Sequence, residues 1–303
     1  MVRNVADEMA ALEDEDFHLL SGVEHGMRFS EWVSRDRLPE FARLAPEEVE
    51  YRLERAMDRD LVERRTIQYE GYSLSTRGYD ALALHTFAER GVIEGVGAPL
   101  GVGKESDVLE VLGPDGPLAL KFHREGFTNF REVHRERDYT ADRDHTSWLY
   151  TARKAAEREH DALTAVDGVV RAPAPVDQNR HAVVMERVDG VELAQAEVDD
   201  DPAAVLELVL DEVAAAHAAG YVHADVSEYN VFLTDEGVVL FDWPQAVPTD
   251  HENATELLAR DVENIVGYVQ RKYPGAVDDV DVDRLVTAVA ADEFDGLDAA
   301  TVR

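Results

Sequence analysis

The sequence of 303 residues contains no cysteine. A disulfide framework and a thiolate zinc site are therefore excluded. No apolar run is long enough to span a bilayer as a helix. The first residues, MVRNVADEMAALEDEDF, are acidic and lack the basic and apolar stretches of a signal peptide. Together these absences predict a cytoplasmic protein without a membrane anchor.

Positive charge is also scarce. The chain has 64 acidic residues against 30 lysines and arginines, which gives a net charge of -34 at pH 7. The only lysines are Lys104, Lys121, Lys154 and Lys272. Uniform acid with little lysine predicts a surface adapted to high salt, where the self-repulsion is screened. A protein that avoids nucleic acid in ordinary salt is the alternative. Hydrophobic residues make up 45% of the chain, enough to bury a core.

Residues 1–90 have the pattern of a separate helical module. Its predicted elements are helices over 6–20, 29–35 and 46–62, a hairpin of Thr66–Tyr69 and Tyr72–Leu74 turning at Glu70-Gly71, and a helix over 76–90. The start of the third helix is signalled by Ala45-Pro46. Three helices with a two-stranded wing predict a winged-helix domain, a variant of helix-turn-helix.

The third predicted helix carries three arginines on one face. Arg52, Arg55 and Arg59 are spaced at i, i+3 and i+7. One interpretation is a surface that contacts nucleic-acid phosphates. The other is a solvated face whose arginines pair with glutamates of the same helix. Those glutamates are Glu48, Glu50 and Glu54.

Residues 91–303 predict a larger domain that begins with strands and ends with helices. The predicted strands are 93–100, 108–112, 118–122, 169–176 and 181–187, and the predicted helices are 149–166, 203–218, 254–273 and 281–292. A polar segment, 123–148, is too long for an ordinary connection, so it is either functional or flexible. We expect a smaller lobe over about 91–187 and a larger one over about 188–303.

A glycine-rich stretch, GVGKES, lies between the first two strands of this domain. Gly101 and Gly103 allow backbone N–H groups to approach phosphates closely, and Lys104 and Ser106 are placed to reach phosphate oxygens. A Walker A loop is excluded because Glu105 follows the lysine. The Gly-x-Gly of a kinase loop fits, although its third glycine is missing. For this stretch taken alone, a plain hairpin turn is the favoured interpretation.

A single lysine follows on the third strand. Lys121 lies among Ala119, Leu120 and Phe122, where a buried ammonium needs an anionic partner. In a kinase such a lysine holds the α- and β-phosphates of ATP and pairs with a helix glutamate. Of the two glutamates on the following helix, Glu157 and Glu159, we select Glu159. The alternative is an edge-strand lysine whose ammonium reaches solvent.

Two later stretches supply acids and an amide. In HADVSEYN (223–230), Asp225 is placed to accept a hydroxyl proton and Asn230 to offer an oxygen to Mg²⁺. In FDWPQ (241–245), Asp242 places a carboxylate next to the same metal. Helix capping explains either aspartate alone. It does not explain both at this spacing beside a glycine loop and a strand lysine.

These motifs resemble the RIO family of atypical protein kinases. The loop GVGKES, the DWPQ sequence in place of D-F-G, and the lack of a downstream A-P-E segment all look RIO-like. The predicted winged helix resembles the second RIO subfamily, as do YEGYSLSTRGYDALAL and GFTNFREVHRERDY. Trp243 departs from the usual phenylalanine, and HAD stands where HGD is common. With the acidic composition, the resemblance indicates a source like a halophilic archaeon.

The resemblance implies an α+β fold, in which an N-terminal winged-helix domain precedes a two-lobed, protein-kinase-like RIO domain. It implies a Mg²⁺–ATP-dependent serine/threonine kinase or ATPase that acts as a switch in small ribosomal subunit maturation. Its partners would be the pre-ribosomal small subunit and ribosomal RNA. Asp242 would itself receive the phosphoryl group transiently, and segment 123–148 would cover the nucleotide. Adenine would lie against Met185–Val188, with backbone atoms of Glu186 and Val188 as its hydrogen-bond partners.

Two alternatives remain open at this level. One is a small-molecule phosphotransferase of the aminoglycoside or choline kinase kind, which needs a large helical pocket after Asp242. The other is a nucleic-acid-binding regulator with an idle kinase lobe. The presence of Lys121, Asp225, Asn230 and Asp242 counts against idleness. The sequence does not fix the oligomeric state or the phosphoacceptor.

Overall fold

The computed structural model describes residues 11–66, 68–124, 145–198, 201–277, 280–291 and 293–297. The chain divides into two compact units. The first unit is Met1–Ala156 with Asp177–Val184, and the second is Glu157–Val176 with Met185–Arg303. The boundary at residues 90 and 91 stays a prediction. No described helix combines the length and the apolar character needed to cross a membrane.

The N-terminal part of the first unit contains helices around a small antiparallel sheet. Its elements are α1 (Asp14–Gly26), β1 (Val33–Ser34), α2 (Leu38–Ala42), α3 (Pro46–Asp58), β2 (Val62–Thr66), β3 (Glu70–Leu74) and α4 (Thr76–Glu89). The sheet order is β1-β3-β2. The predicted helix over 29–35 is wrong, because Trp32 and Val33 are buried and Val33 pairs with Tyr72 as a third strand. The first predicted helix, 6–20, is found from Asp14, and residues 1–10 lie outside the described ranges.

The wing hairpin also differs from its prediction. Glu70 and Gly71 lie inside β3 and pair with Thr66 and Arg65, so they do not form the turn. A Cβ at Gly71 would lie 2.7 Å from the Cβ of Trp32. Close packing against that side chain therefore explains the glycine, where the sequence pattern suggested a turn.

Helix α3 begins at Pro46, as predicted, but its arginines do not form an exposed basic face. Arg52 is 5% exposed and is surrounded by acids. Its guanidinium lies 2.8 Å from Glu13, 3.2 Å from Asp16 and 2.7 Å from Glu48. Arg55 lies 3.0 Å from Asp16. The phosphate-contact interpretation is therefore wrong for Arg52 and Arg55, because the acidic start of α1 engages both guanidiniums. The guanidinium of Arg59 donates to the carbonyl of Arg55 over 3.3 Å.

The rest of the first unit is built on a five-stranded sheet. Its strands are β4 (Gly95–Val102), β5 (Ser106–Gly113), β6 (Gly116–His123), β7 (Pro175–Asn179) and β8 (Ala182–Glu186), in the order β4-β5-β6-β8-β7. Strand β7 begins later than predicted. The N–H groups of Val169 and Val170 instead donate to the carbonyl of Val166 and close the end of the preceding helix.

The polar segment predicted over 123–148 is shorter than its composition suggests. His123 ends β6 and is fully buried, and Arg124 is 7% exposed. Helix α5 (His145–Val166) begins four residues before the predicted helix at 149. Trp148, at the end of the predicted segment, is buried in the core. Residues 125–144 lie outside the described ranges, so the predicted cover over a nucleotide stays a prediction.

One hydrophobic core runs through the first unit. It joins residues of the helical part, such as Leu20 and Phe87, to sheet residues such as Leu120, Phe122 and Val184. Since these side chains form one cluster, the helical part and the five-stranded sheet share this core. We therefore expect the two parts to unfold together.

The second unit is mainly helical after its first strands. Besides the end of α5, it contains β9 (Val191–Glu192), α6 (Pro202–Ala218), β10 (Tyr221–Val222), β11 (Val231–Thr234), β12 (Gly237–Leu240), β13 (Val247–Pro248), α7 (Ala254–Lys272) and α8 (Val282–Ala290). Strands β12-β11-β9 form one sheet, and β10-β13 form another. The predicted helices at 203–218, 254–273 and 281–292 correspond to α6, α7 and α8.

Candidate active site

The glycine-rich stretch forms an exposed turn between β4 and β5. The N–H of Gly103 donates to the carbonyl of Ser106 over 2.8 Å, and Lys104 and Glu105 lie at the exposed tip. The register of β4 shifts near Gly101. A Cβ built at Gly101 meets no described atom within 4 Å, so packing within the described chain does not require this glycine. The free space fits the close approach of a phosphate to the backbone.

Lys121 lies in the middle strand of the five-stranded sheet. It is opposite Val108 in β5 and is 6% exposed. An ammonium buried this deeply is stable only near negative charge. The structure thus confirms the buried position of the lysine. Its contacts with phosphates and with Glu159 stay predictions.

The second unit brings the two later motifs together through strand pairing. Residues 223–230 connect β10 to β11, and residues 241–246 connect β12 to β13. Because β10 pairs with β13 and β11 pairs with β12, both connections begin and end at the same two strand pairs. The N–H of Phe241 also donates to the carbonyl of Asn230 over 3.0 Å. The fold therefore places the predicted catalytic loop beside the predicted metal aspartate.

Asp225 and Asn230 are joined by two hydrogen bonds. The side-chain nitrogen of Asn230 donates to the Asp225 backbone carbonyl over 2.8 Å and to its carboxylate over 3.0 Å. Both bonds use nitrogen, so the carbonyl oxygen of Asn230 is the atom that a cation could coordinate. Burial, and secondly the nearby charge of Asp242, raise the pKa of Asp225. A raised pKa is common for a carboxylate that accepts protons at an active site.

The segment that carries Asp242 is held in a special conformation. Asp242 has a φ of 69°, in the left-handed region, where short polar residues are tolerated best among non-glycine residues. The N–H of the next residue, Trp243, donates to the carboxylate of Glu159 over 3.1 Å. Glu159 is 1% exposed and Trp243 is fully buried. Glu159 thus anchors this segment, a role that the sequence interpretation did not assign to it.

The segment predicted to contact adenine follows β8. The N–H of Glu186 donates to the carbonyl of Ala174 over 2.8 Å. An adenine contact would therefore have to use the carbonyl of Glu186 and the N–H of Val188. That contact stays a prediction.

The side-chain oxygen atoms of Asp242 and Asn230 are suitable ligands for Mg²⁺. A carboxylate and an amide oxygen are hard ligands, and Mg²⁺ typically binds one or two such groups together with waters and substrate phosphates. Among the described residues, no group of three or more His, Asp or Glu side chains could hold a metal by itself. The chain therefore offers the partial ligand set typical of a metal shared with a phosphorylated substrate.

Comparison with known families gives two matches. The RIO domain model matches residues 107–283, and the Rio2 N-terminal model matches residues 9–90. The chain belongs to the Rio2 family of RIO-type kinases. It is 40% identical to the RIO-type serine/threonine-protein kinase Rio2 of Methanocaldococcus jannaschii, over 86% of this chain and 98% of that protein. The Schizosaccharomyces pombe serine/threonine-protein kinase rio2 is 35% identical, over 88% and 78%.

Solved Rio2 structures share the fold. The Rio2 kinase–ADP/Mg²⁺–phosphoaspartate complex from Chaetomium thermophilum matches with a TM-score of 0.81 and 30% identity, over 94% of this chain and 89% of that chain. A second crystal structure of the Chaetomium thermophilum Rio2 kinase matches with a TM-score of 0.76. The predicted fold class and enzyme class are confirmed by these likenesses.

One residue that supports the Rio2 catalytic loop was missed in the sequence. Asp261 of α7 is fully buried and accepts the N–H groups of Ala224 and Val226 over 2.7 and 2.9 Å. Burial raises its pKa to about 7, although the two hydrogen bonds oppose that shift. The available signal was an aspartate between Leu258 and Ile265 on the apolar face of a helix. A buried carboxylate there holds the loop that carries Asp225.

Ala224 is strained in this Rio2-family chain, and Ala224→Gly is expected to stabilise it by about 0.5–1 kcal/mol. Ala224 has a φ of 66°, which costs an L-residue other than glycine about 1–2 kcal/mol. Glycine removes that strain, while the greater freedom of the unfolded chain offsets part of the gain. Urea unfolding would measure the change. Ala246→Gly, at a buried position without a positive φ, is the control and should destabilise; equal effects of both changes would contradict the strain argument.

Proposed function

We propose that the chain is a Mg²⁺–ATP-dependent kinase or ATPase that acts in the cytoplasm as a switch in small ribosomal subunit maturation. The observation that carries the enzymatic part is the grouping of Asp225, Asn230 and Asp242, with the pKa of Asp225 raised by burial and by the charge of Asp242. The relatives are named protein kinases, which favours neither a small-molecule phosphotransferase nor an idle lobe.

In this proposal Asp242 accepts the phosphoryl group. A carboxylate oxygen of Asp242 forms a bond to the γ-phosphorus as the bond from that phosphorus to the β,γ-bridging oxygen breaks, and ADP leaves. Water then attacks the acyl phosphate, Asp225 takes its proton, and Asp242 and inorganic phosphate are regenerated. Mg²⁺ would neutralise phosphate charge during transfer. The phosphoaspartate of the Chaetomium thermophilum complex supports this route.

Removal of Mg²⁺ is expected to stop ATP turnover by the purified chain. Release of phosphate from ATP would be measured with excess Mg²⁺ and with excess EDTA, at several concentrations of KCl. We expect turnover to fall to the background level with EDTA and to return when Mg²⁺ is added back. Turnover that persists in EDTA would contradict the proposed site, because that site uses Mg²⁺ to neutralise the phosphate charge.

The proposed contact with ribosomal RNA needs a surface other than the arginines of α3. We propose an aromatic strip on the first unit, made of the rings of His25, Phe29 and Phe41 together with the guanidinium of Arg37. The rings of Phe29 and Phe41 stack at 6.0 Å, and His25 lies within 5.5 Å of both. The guanidinium of Arg37 lies 5.0 Å from the Phe41 ring.

The exposure and composition of the aromatic strip favour unstacked bases. Phe29 is 74% exposed. Stacking of bases on aromatic rings contributes about 1–3 kcal/mol per base and depends little on sequence. Contacts to phosphate weaken steeply as salt rises. A strongly acidic chain working in high salt would therefore gain more from rings than from a basic stripe.

Phe29→Ala is expected to weaken binding of a fluorescent single-stranded RNA of twelve nucleotides about tenfold. The loss corresponds to one stacked base, at the lower end of the stacking range. Tyr150→Ala is the matched control, since Tyr150 is 64% exposed but lies outside the aromatic strip. Fluorescence anisotropy would measure both variants. Equal affinities for wild type and Phe29→Ala would remove the strip from the proposed RNA contact.

A further inference from the structure

A cleft of about 520 Å³ lies in the second unit next to the catalytic loop. Its wall includes Arg158 of α5, Arg260 of α7 and Ala224 of the catalytic loop. Gln245 and His251 also line it, and its other lining residues are apolar. Ala224 directly precedes Asp225, and Gln245 follows Asp242 by three positions. A molecule bound in the cleft would therefore contact the two segments that carry Asp225 and Asp242.

The charge of this cleft is opposite to that of the chain. About one residue in five is acidic, since 64 of 303 are Asp or Glu, so about two acids are expected among nine lining residues. The lining contains none, and it contains two arginines and a histidine. Such a local reversal on a chain with a net charge of -34 marks a site for an anion.

The three basic side chains of the cleft differ in how many hydrogen bonds they already make within the protein. A guanidinium nitrogen of Arg260 donates to the carbonyl of Ala224 over 2.5 Å, which positions the loop. Nδ1 of His251 accepts the N–H of Asn253 over 3.2 Å. Within the described part of the chain, no hydrogen bond or ion pair engages Arg158, which is exposed. Arg158 thus has its full fork of donors for a ligand.

We propose that this cleft binds a phosphate monoester carried on a polypeptide, namely a phosphoserine or phosphothreonine of a protein substrate of the proposed kinase. A forked guanidinium matches phosphate with two parallel hydrogen bonds, and a second arginine with a nearby imidazole suits a dianion. The volume exceeds that of a phosphate group, and its apolar wall fits the adjoining chain. This inference rests on the proposed function, because it names what that same site accepts.

Binding of a fluorescein-labelled ten-residue peptide with one phosphoserine among alanines and glycines tests this assignment. Anisotropy would be measured for wild type, Arg158→Gln, His251→Gln and the control Arg43→Gln, which changes an exposed arginine in the first unit. We expect wild type and Arg43→Gln to bind alike, Arg158→Gln to bind at least tenfold more weakly, and His251→Gln to lose several-fold. The unphosphorylated peptide should bind at least tenfold more weakly than the phosphopeptide.

Three results would overturn the proposal. These are equal binding of the two peptides, an unchanged affinity of Arg158→Gln, and competition by inorganic phosphate at the same concentration as the phosphopeptide, which would assign the cleft to free phosphate. The measurement needs no ATP. Failure of the proposed function would appear as missing Mg²⁺-dependent turnover with peptide binding intact, so the two failures are distinguishable.

Discussion

Replacement of Asp242 by asparagine is expected to lower Mg²⁺-dependent ATP turnover about 10³-fold or more. The change removes the charged oxygen that would coordinate Mg²⁺ and receive the phosphoryl group, and loss of one electrostatic contact at a transition state alone costs about 10²–10³-fold. Asparagine tolerates the left-handed backbone of this position, where φ is 69°, whereas alanine would add strain. The asparagine variant should therefore lose activity without losing the fold. Release of phosphate from ATP would measure the loss of turnover.

The Asp242→Asn variant should also lower the pKa of Asp225, because the charge of Asp242 contributes to raising it. Carbon-13 NMR of the Asp225 carboxyl would follow this pKa without any turnover. Asp250→Asn, an exposed aspartate shortly after the segment, is the control and should keep full activity. If Asp242→Asn retains turnover within a few-fold of Asp250→Asn, neither the metal role nor the phosphoryl-acceptor role of Asp242 stands.

Local patterns predicted much of this fold and of the candidate site. Helix α6 runs from Pro202 to Ala218, close to the predicted range of 203–218. Asp225, Asn230 and Asp242 were recognisable because their spacing within a loop and a short hairpin is fixed by the chain itself. The two strand pairs then bring them together. Residues whose partners lie nearby in the chain can therefore be predicted from the sequence.

Residues whose partners are distant in sequence could not be predicted in this way. The spacing correctly places Arg52 and Arg55 on one helix, whereas Arg59 lies just after the helix ends at Asp58. It cannot show that Glu13 and Asp16 engage the arginines of that face. Asp261 lies 35 residues after Val226, whose N–H it accepts. Arg124 looked like the start of a polar loop, yet it is buried. In each case the role of the residue depends on tertiary packing, which the periodicity of a helix or a strand does not reveal.

Arg124 holds a buried polar network in the first unit. Its guanidinium donates two parallel hydrogen bonds of 2.8 Å to Asp80 on α4 and one of 2.9 Å to Asp107 on β5. Nε2 of His181 lies 2.8 Å from the Asp80 carboxylate. Burial alone would raise the pKa of Asp80, but Arg124 and His181 outweigh it and lower that pKa. The network joins helix α4 of the N-terminal part to the sheet that carries Lys121.

Arg124→Met is expected to destabilise the protein by about 3–5 kcal/mol, because it leaves the Asp80 carboxylate buried without its main partner. The lowered pKa of Asp80 means that the pair stabilises the wild type above the pKa of an unfolded aspartate, and that this stability is lost as pH falls through the lowered folded pKa. In the variant the folded pKa of Asp80 rises. The difference between the two proteins should therefore shrink as pH falls from 7 towards about 4.

Two controls distinguish a buried unpaired charge from the simple loss of an arginine. Arg90→Met removes an exposed arginine 2.8 Å from Asp177 and should cost less than about 1 kcal/mol. Asp80→Leu combined with Arg124→Met removes both charges, and we expect it to recover at least about 2 kcal/mol of the loss, since apolar groups often replace a buried ion pair at little cost. Urea unfolding of all four proteins gives the comparison. A double variant as unstable as Arg124→Met would show that the loss comes from packing around the guanidinium and that the charge of Asp80 plays no part in it.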